Sequence, residues 1–211
     1  MPKKASSRKF YCLKKREVVS LKSQNQWDTE IEYLGKNYDF THLKPISIAV
    51  NKPEKPGLYP ALNFELVVIF DCHVTTETFS NQNPSQLNDS DLFWLDKGEH
   101  LRVFCPLRYE KSKFVSTLVN EAANGKRHVY LTNGDNAMVC EIEGGGSKKY
   151  YVIYFDLQMI SKSANDNPKK FRMYVQSAYI KEFKPNRGSQ VYVAAMCAES
   201  IAKLESKFRK N

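Results

Sequence analysis

Tyr150-Tyr-Val-Ile-Tyr-Phe-Asp-Leu-Gln-Met-Ile160 and Phe171-Arg-Met-Tyr-Val-Gln-Ser-Ala-Tyr-Ile180 are strand-length runs, separated by the turn formers Ser163-Ala-Asn-Asp-Asn-Pro168. So short a connection carries no crossover, so the two runs pair antiparallel. Upstream, Ala137–Glu143 stops at Gly144-Gly-Gly-Ser147, and Val129–Thr132 runs into the tight-turn dipeptide Asn133-Gly134. Four such strands in succession make a meander. Before it, Phe114, Val115, Leu118, Val119 and Ala122 recur at helical spacing over Ser112–Asn124, and Gly125 is placed to end that helix in a left-handed conformation. Ser112 could cap its first turn. After the meander, Val193, Met196, Cys197, Ile201, Leu204 and Phe208 form one stripe over Gln190–Lys210, a helix that packs on the body. The prediction is an α+β fold: an antiparallel β-meander sheet with one internal helix and a C-terminal helix on one face.

The body opens with a strand at 64–74, where Leu66, Val68, Phe70, Cys72 and Val74 alternate with Glu65, Val67, Ile69, Asp71 and His73, continuing through the β-favouring Thr75–Phe79. Residues 80–100 read as a long polar loop with a short helix near Leu92–Leu95. Residues 27–60 carry Pro45, Pro53, Pro56 and Pro60, which forbid a sustained helix, and read as an irregular lead-in with Ile46–Val50 as a short edge strand. The domain reading is therefore a basic flexible arm at 1–26, a lead-in at 27–60 and a single α+β domain at 61–211.

With 42% apolar and 12% aromatic residues in 211, the chain can bury a sizeable core, which excludes global disorder. The longest apolar run, Phe64–Asp71, is strand-length and carries acids, well short of the roughly eighteen residues a membrane span needs. The opening Met-Pro-Lys-Lys-Ala-Ser-Ser-Arg-Lys has no apolar core, so no secretory signal and no membrane partner are expected. Five cysteines lie far apart without a CxxC pair, which fits free thiols in a reducing cytoplasm. There is no Walker loop, no HExxH and no paired carboxylate set for a two-metal nuclease. Cys72-His73 are adjacent and not at ligand spacing, so neither a metal nor another cofactor is expected.

The net charge of +9 is concentrated. Residues 1–26 hold eight cations, among them Lys3, Lys4, Arg8, Lys9, Lys14, Lys15 and Arg16, against the single acid Glu17. Such an arm attracts phosphate backbones through counterion release, without sequence preference; it also fits a merely solubilising start. A second surplus, including Lys169, Lys170, Arg172 and Lys181, lies at 162–187.

Alternation assigns the sheet's faces. Tyr151, Ile153, Phe155 and Leu157, with Phe171, Met173 and Val175, should face the helices. The opposite surface then carries Tyr130, Tyr150, Tyr154, Tyr174, Arg172 and Gln176, with Asp71 and His73 on the first strand. Tyrosines interleaved with Arg and Gln suit stacked, unpaired bases, so RNA or another single-stranded nucleic acid is the expected partner. An imidazole two residues from a carboxylate suits general acid–base work, with Asp71 orienting His73.

Phe171-Arg-Met-Tyr-Val-Gln-Ser-Ala-Tyr179, with the helix-then-meander order of 112–180, resembles the final strand of nucleases in the barnase/EndoU/RelE group. That resemblance implies a metal-independent ribonuclease, of the kind found as toxins or in phage defence, with its active site on the sheet. It implies that Arg172 stabilises the in-flight phosphate and that Ser177 or Tyr179 lines the site. By strict alternation Ser177 falls on the buried side of its strand, and His73 would serve from an upstream strand. Two readings stand: an RNA-binding protein of ribonuclease type, or a non-catalytic adaptor whose tyrosine face binds protein.

Overall fold

In the computed structural model, which describes residues 9–12, 30–79, 92–96, 100–131, 136–142, 149–182 and 189–208, the runs separated by turn signals do pair as neighbours. In chain order the elements are β1 (Lys9–Cys12), the hairpin β2 (Glu30–Tyr33) and β3 (Lys36–Asp39), β4 (Ile46–Lys52), β5 (Leu62–Phe70), β6 (Thr76–Thr78), β7 (Leu92–Leu95) and β8 (Leu101–Phe104). Helices α1 (Pro106–Ser112) and α2 (Val115–Ala123) follow. Then come β9 (Val129–Leu131), β10 (Asn136–Ile142), β11 (Lys149–Met159), β12 (Lys169–Lys181), β13 (Gln190–Val191) and α3 (Val193–Phe208). The large sheet has the order β13-β9-β10-β11-β12-β5-β4 and is antiparallel throughout except where β5 runs parallel to β12. The fold is α+β, with the meander, the internal helical segment and the C-terminal helix that the periodicity predicts.

The inward parity is also as expected. Phe64, Leu66, Val68 and Phe70 of β5, Tyr151, Ile153 and Phe155 of β11, and Phe171, Met173 and Val175 of β12 form one core with Val115, Val119 and Ala122 of α2 and Val193 and Cys197 of α3. Each large aliphatic or phenylalanine side chain among them contributes roughly 1.5–3 kcal/mol on leaving water. The end of α2 is closed by a Schellman motif: Gly125 (φ +68°) donates to the Ala122 carbonyl at 3.1 Å and Lys126 to that of Glu121 at 2.9 Å. The edge strand at Ile46–Val50 is β4, and its neighbour in the sheet is β5.

Several local expectations are corrected. The strand starting near 64 stops at Phe70, and the chain turns out of the large sheet; β6 belongs to a second sheet of order β1-β7-β8-β6. Leu92–Leu95 is a strand, not a helix, because Leu-Phe-Trp-Leu is strand-favouring and has β8 to pair with. The helix placed at Ser112–Asn124 is two helices, and Ser112 closes α1 instead of capping α2; its Oγ lies 2.7 Å from both the Tyr109 carbonyl and His42 Nε2. The lead-in is built into the body. Ile31, Tyr38, Phe40 and Leu43 are buried, and Phe104 of β8 packs edge-on against Tyr33, Tyr38 and Phe40 at 5.3, 4.9 and 5.8 Å between ring centroids. Of the arm, Lys9–Cys12 is a strand parallel to β7, so a wholly flexible arm does not hold for those four residues; the strand-favouring Phe10-Tyr-Cys12 accounts for it. Lys3, Lys4, Arg8, Lys14, Lys15 and Arg16 lie outside the described residues. Among the described residues no helix is long and apolar enough to cross a membrane.

Candidate active site

The site begins where β5 ends. Asp71 keeps one more sheet bond, N–H to the Val175 carbonyl at 2.9 Å, and then its carboxylate accepts the His73 N–H at 3.2 Å. That is an N-cap, and it folds Cys72–Val74 into a single 3-10 turn. Asp71 is only 4% exposed. It also accepts from the Tyr174 hydroxyl, which reaches it from β12, and from the Cys72 thiol at 3.2 Å. Burial, reinforced by the Asp71 carboxylate, pushes the Cys72 thiol far above the ordinary thiol range, so it stays protonated and unreactive.

Turning the chain at Asp71 separates it from the role assigned to it. His73 does not share a strand face with Asp71: its Nε2 is 3.9 Å from the Asp71 carboxylate and 2.9 Å from Oδ2 of Asp96, immediately after β7. Asp96 is therefore the carboxylate that orients His73. It is 8% exposed, and its other oxygen accepts from the backbone N–H of His100 at 2.9 Å and lies 3.2 Å from His100 Nδ1. One buried carboxylate thus stands between two imidazoles, one half-buried and one open to solvent. The sequence cue was available: an acid directly after an apolar Leu-Phe-Trp-Leu run marks a strand end where a carboxylate is drawn inward.

Two guanidinium groups lie beside this pair. Arg102, buried in β8, donates to the Thr76 hydroxyl and carbonyl at 2.9 and 3.1 Å and to the Thr78 hydroxyl at 3.2 Å. Arg108, from α1, donates to the same Thr76 carbonyl at 2.6 Å and to the His73 carbonyl at 3.2 Å. Its guanidinium also lies 5.2 Å from the centre of the Tyr179 ring. Arg108 therefore joins the His73 turn to the far end of β12.

Tyr179 reaches that position because β12 carries a bulge. The β11–β12 register pairs Tyr154 with Ser177 but Phe155 with Val175, so Gln176 is an extra residue and the parity of the strand inverts after it. Ser177 and Tyr179 move to the Tyr154 side, and Ala178 turns into the core. Strict alternation put Ser177 inside; the bulge corrects that. Tyr154 and Tyr179 stack at 5.9 Å, and the Lys181 ammonium donates to the Tyr154 hydroxyl at 2.8 Å while lying 5.3 and 5.5 Å from the two ring centres.

The remaining tyrosine surface is less open than alternation suggests. Tyr130, Tyr154 and Tyr174 are half-buried, but Tyr150 is 6% exposed and Val152 beside it 0%. Together with Ala137 and Val139 they form a second, smaller apolar cluster, because this face carries aliphatic residues as well as phenols. Tyr150 is thereby removed from any binding surface. Arg172 lies on the sheet as expected, with its guanidinium 2.5 Å from the Gln158 side chain, on the same strand face as Tyr174.

Donor atoms of Asp71, Cys72 and His73 lie within 4.8 Å of one another, a spacing a metal ion could use. Binding one there requires breaking the Cys72–Asp71 hydrogen bond and deprotonating a thiol that burial holds in its neutral form.

The sequence profile described as the YjaZ family matches residues 30–201. The chain belongs to the YjaZ family. No curated protein and no solved structure matches it. The YjaZ-family match takes in Asp71, His73, Asp96, Arg108, Arg172, Tyr174 and Tyr179, so the whole constellation lies in the shared part of the chain. The basic residues before 30 lie outside it.

Proposed function

We propose that this protein binds single-stranded RNA along β12 and cleaves it without a metal ion, using His73 as the acid–base group. One observation carries the reading: Arg108 touches both the His73 turn and the Tyr179 ring. It brings an imidazole oriented by a carboxylate beside stacked phenols flanked by cations. Base stacking on such rings contributes roughly 1–3 kcal/mol per base. Lys170, Arg172, Tyr174, Tyr179 and Lys181 give the strand alternating charged and aromatic contacts for a phosphate backbone and its bases.

In the reaction His73 takes the proton of a ribose 2′-hydroxyl as that oxygen attacks the adjacent phosphorus. The bond from phosphorus to the 5′-oxygen breaks, and protonated His73 returns the proton to the leaving oxygen. The products are a 2′,3′-cyclic phosphate and a 5′-hydroxyl, with no net proton consumed. Asp96 fixes the imidazole's orientation. Arg108 offsets charge on the phosphorus oxygens, and Arg172, further along β12, meets a neighbouring phosphate of the strand. The resemblance of the closing strand to toxin and phage-defence ribonucleases supports this reading. The free cysteines support a reducing, cytoplasmic setting.

A labelled single-stranded RNA, titrated at two salt concentrations, tests binding. Affinity should fall with salt, and deletion of residues 1–8, which leaves β1 in place, together with Arg172→Ala should flatten that dependence. Salt-independent affinity, or no binding, rejects the reading. A second reading, a protein-binding adaptor, is favoured by Leu107 and Phe114, which stand 61% and 58% exposed in and just after α1. On that reading Leu107→Ser with Phe114→Ser abolishes capture of a protein partner, and RNA has no effect.

A further inference from the structure

A cleft of about 210 Å³ lies between α1 and the end of β12, lined by Glu77, Cys105, Arg108, Lys111, Tyr151 and Tyr179 among others. Two features set it apart. Tyr151 is 3% exposed, yet its hydroxyl has no hydrogen-bond partner among the described residues. A buried donor left unmade costs free energy that native structures rarely leave unrecovered. Burial also holds that hydroxyl in its neutral, donating form.

The second feature is charge. Among the described residues Arg108 donates from one terminal nitrogen, to two backbone carbonyls, and Lys111 makes no ion pair; the neighbouring Glu110 pairs instead with Lys113 and Lys36. Against these two cations the cleft lining holds one acid, Glu77. Behind them Arg102 hydrogen-bonds, among the described residues, to neutral oxygens of Thr76 and Thr78, with the Asp71 and Asp96 carboxylates acting on its charge from nearby. The surplus is positive and faces a neutral donor.

We infer that this cleft binds a phosphomonoester of pentose phosphate size, held by Arg108 and Lys111 through its phosphate and by the Tyr151 hydroxyl. A phosphomonoester carries about −1.5 to −2 charges at pH 7, which complements two cations better than a carboxylate does. The volume exceeds what bare phosphate needs and falls below the roughly 300–1,000 Å³ of sites for larger ligands. A free sugar phosphate and the phosphorylated end of an RNA strand both present this group. The cleft shares Arg108 and Tyr179 with the proposed RNA site, whereas Lys111 and the Tyr151 hydroxyl belong to the cleft alone.

The test is calorimetric titration of the full chain with ribose 5-phosphate, beside ribose and inorganic phosphate. Saturable binding of ribose 5-phosphate, tighter than either fragment, is expected. Tyr151→Phe, which removes one oxygen and no packing, and Lys111→Ala should each weaken it by about tenfold or more, the loss expected when one partner of a charged group is removed. Without ligand, Tyr151→Phe should melt no lower than wild type, so a folding defect is told apart from lost binding. No binding, equal binding of ribose, or equal affinity in both variants overturns the site. Comparing a 5′-phosphorylated with an unphosphorylated oligonucleotide assigns the source of the phosphate. Loss of RNA binding on deleting residues 1–8 together with Arg172→Ala, with ribose 5-phosphate affinity unchanged, separates the two proposals.

Discussion

His73 Nε2 lies 2.9 Å from Oδ2 of Asp96, a partner 23 residues further along the chain and held by a different sheet. The pair exists because Asp71 turns the chain out of the large sheet and points the next histidine at the small one. His73→Ala should lower RNA cleavage by roughly 10²–10⁴-fold, the range that a positioned acid–base group contributes, and leave RNA affinity unchanged. Asp96→Asn should retain more activity than His73→Ala. Initial rates on a fluorogenic RNA measure both, and a full rate in His73→Ala removes the enzymatic reading.

Tyr174→Phe removes a donor from a carboxylate that is almost fully buried. The variant should lose about 1–3 kcal/mol of stability, the desolvation cost of an acceptor left short of a partner. Urea unfolding against wild type reads this directly. An unchanged midpoint would show that Asp71 does not need the Tyr174 hydroxyl.

Gln176 should tolerate replacement but not removal. Gln176→Ala keeps the bulge, and its midpoint of thermal unfolding should stay near that of wild type. Deleting the residue would force Ser177 and Tyr179 into the core and Ala178 out of it, because a one-residue slip exchanges the two faces of a strand. Failure of the deletion variant to fold, beside a stable Gln176→Ala, is the expected pair of results.

Lys169 is 7% exposed and directs its ammonium at the carbonyls of Ser163, Ala164 and Asp166, at 3.3, 2.5 and 2.6 Å. It ties down the turn between β11 and β12. Lys169→Met keeps most of the volume and strips three acceptors of their donor. A loss of about 2–3 kcal/mol is expected in chemical denaturation, given what an unmade buried hydrogen bond costs.

His42 gives the fold a pH dependence. Burial lowers its pKa from the ordinary 6.5, outweighing the hydrogen bond to the Asp39 carbonyl, which raises it. The unfolded chain then binds the proton more readily than the folded one, so stability is full above pH 6.5 and is lost as pH falls from there through the lowered folded value. Denaturation midpoints of wild type and His42→Gln at pH 8, 6 and 5 should show the decline only partly retained in the variant.

Much of this architecture was legible from residue order. Asn133-Gly134, the glycine run at 144–146 and the Ser163–Pro168 turn gave the meander, and Gly125 gave the end of α2. Such signals are local, and local chemistry decides them. The failures share a different cause. Asp71 can continue a strand or cap a turn, and only the position of β12 and Asp96 decides between them. The Gln176 bulge leaves no trace in composition, yet it relocates Ser177 and Tyr179. The pairing of His73 with Asp96 and the link through Arg108 are long-range facts, fixed by how the second sheet packs. Tyr150 looked exposed because alternation knows which side a residue faces but not what lies over it.

β5 and β12 run side by side although about a hundred residues separate them, with Phe64 opposite Lys169. Closing so long a loop costs entropy before any contact repays it, whereas β9 to β12 need only short turns. The meander is therefore the natural folding nucleus, and β5 must wait for it, an apolar ribbon with no neighbour on one side while the chain is still being synthesised. Truncations that end before residue 169 should leave that ribbon exposed and aggregate; the ribosome-bound nascent chain faces the same hazard until β12 emerges.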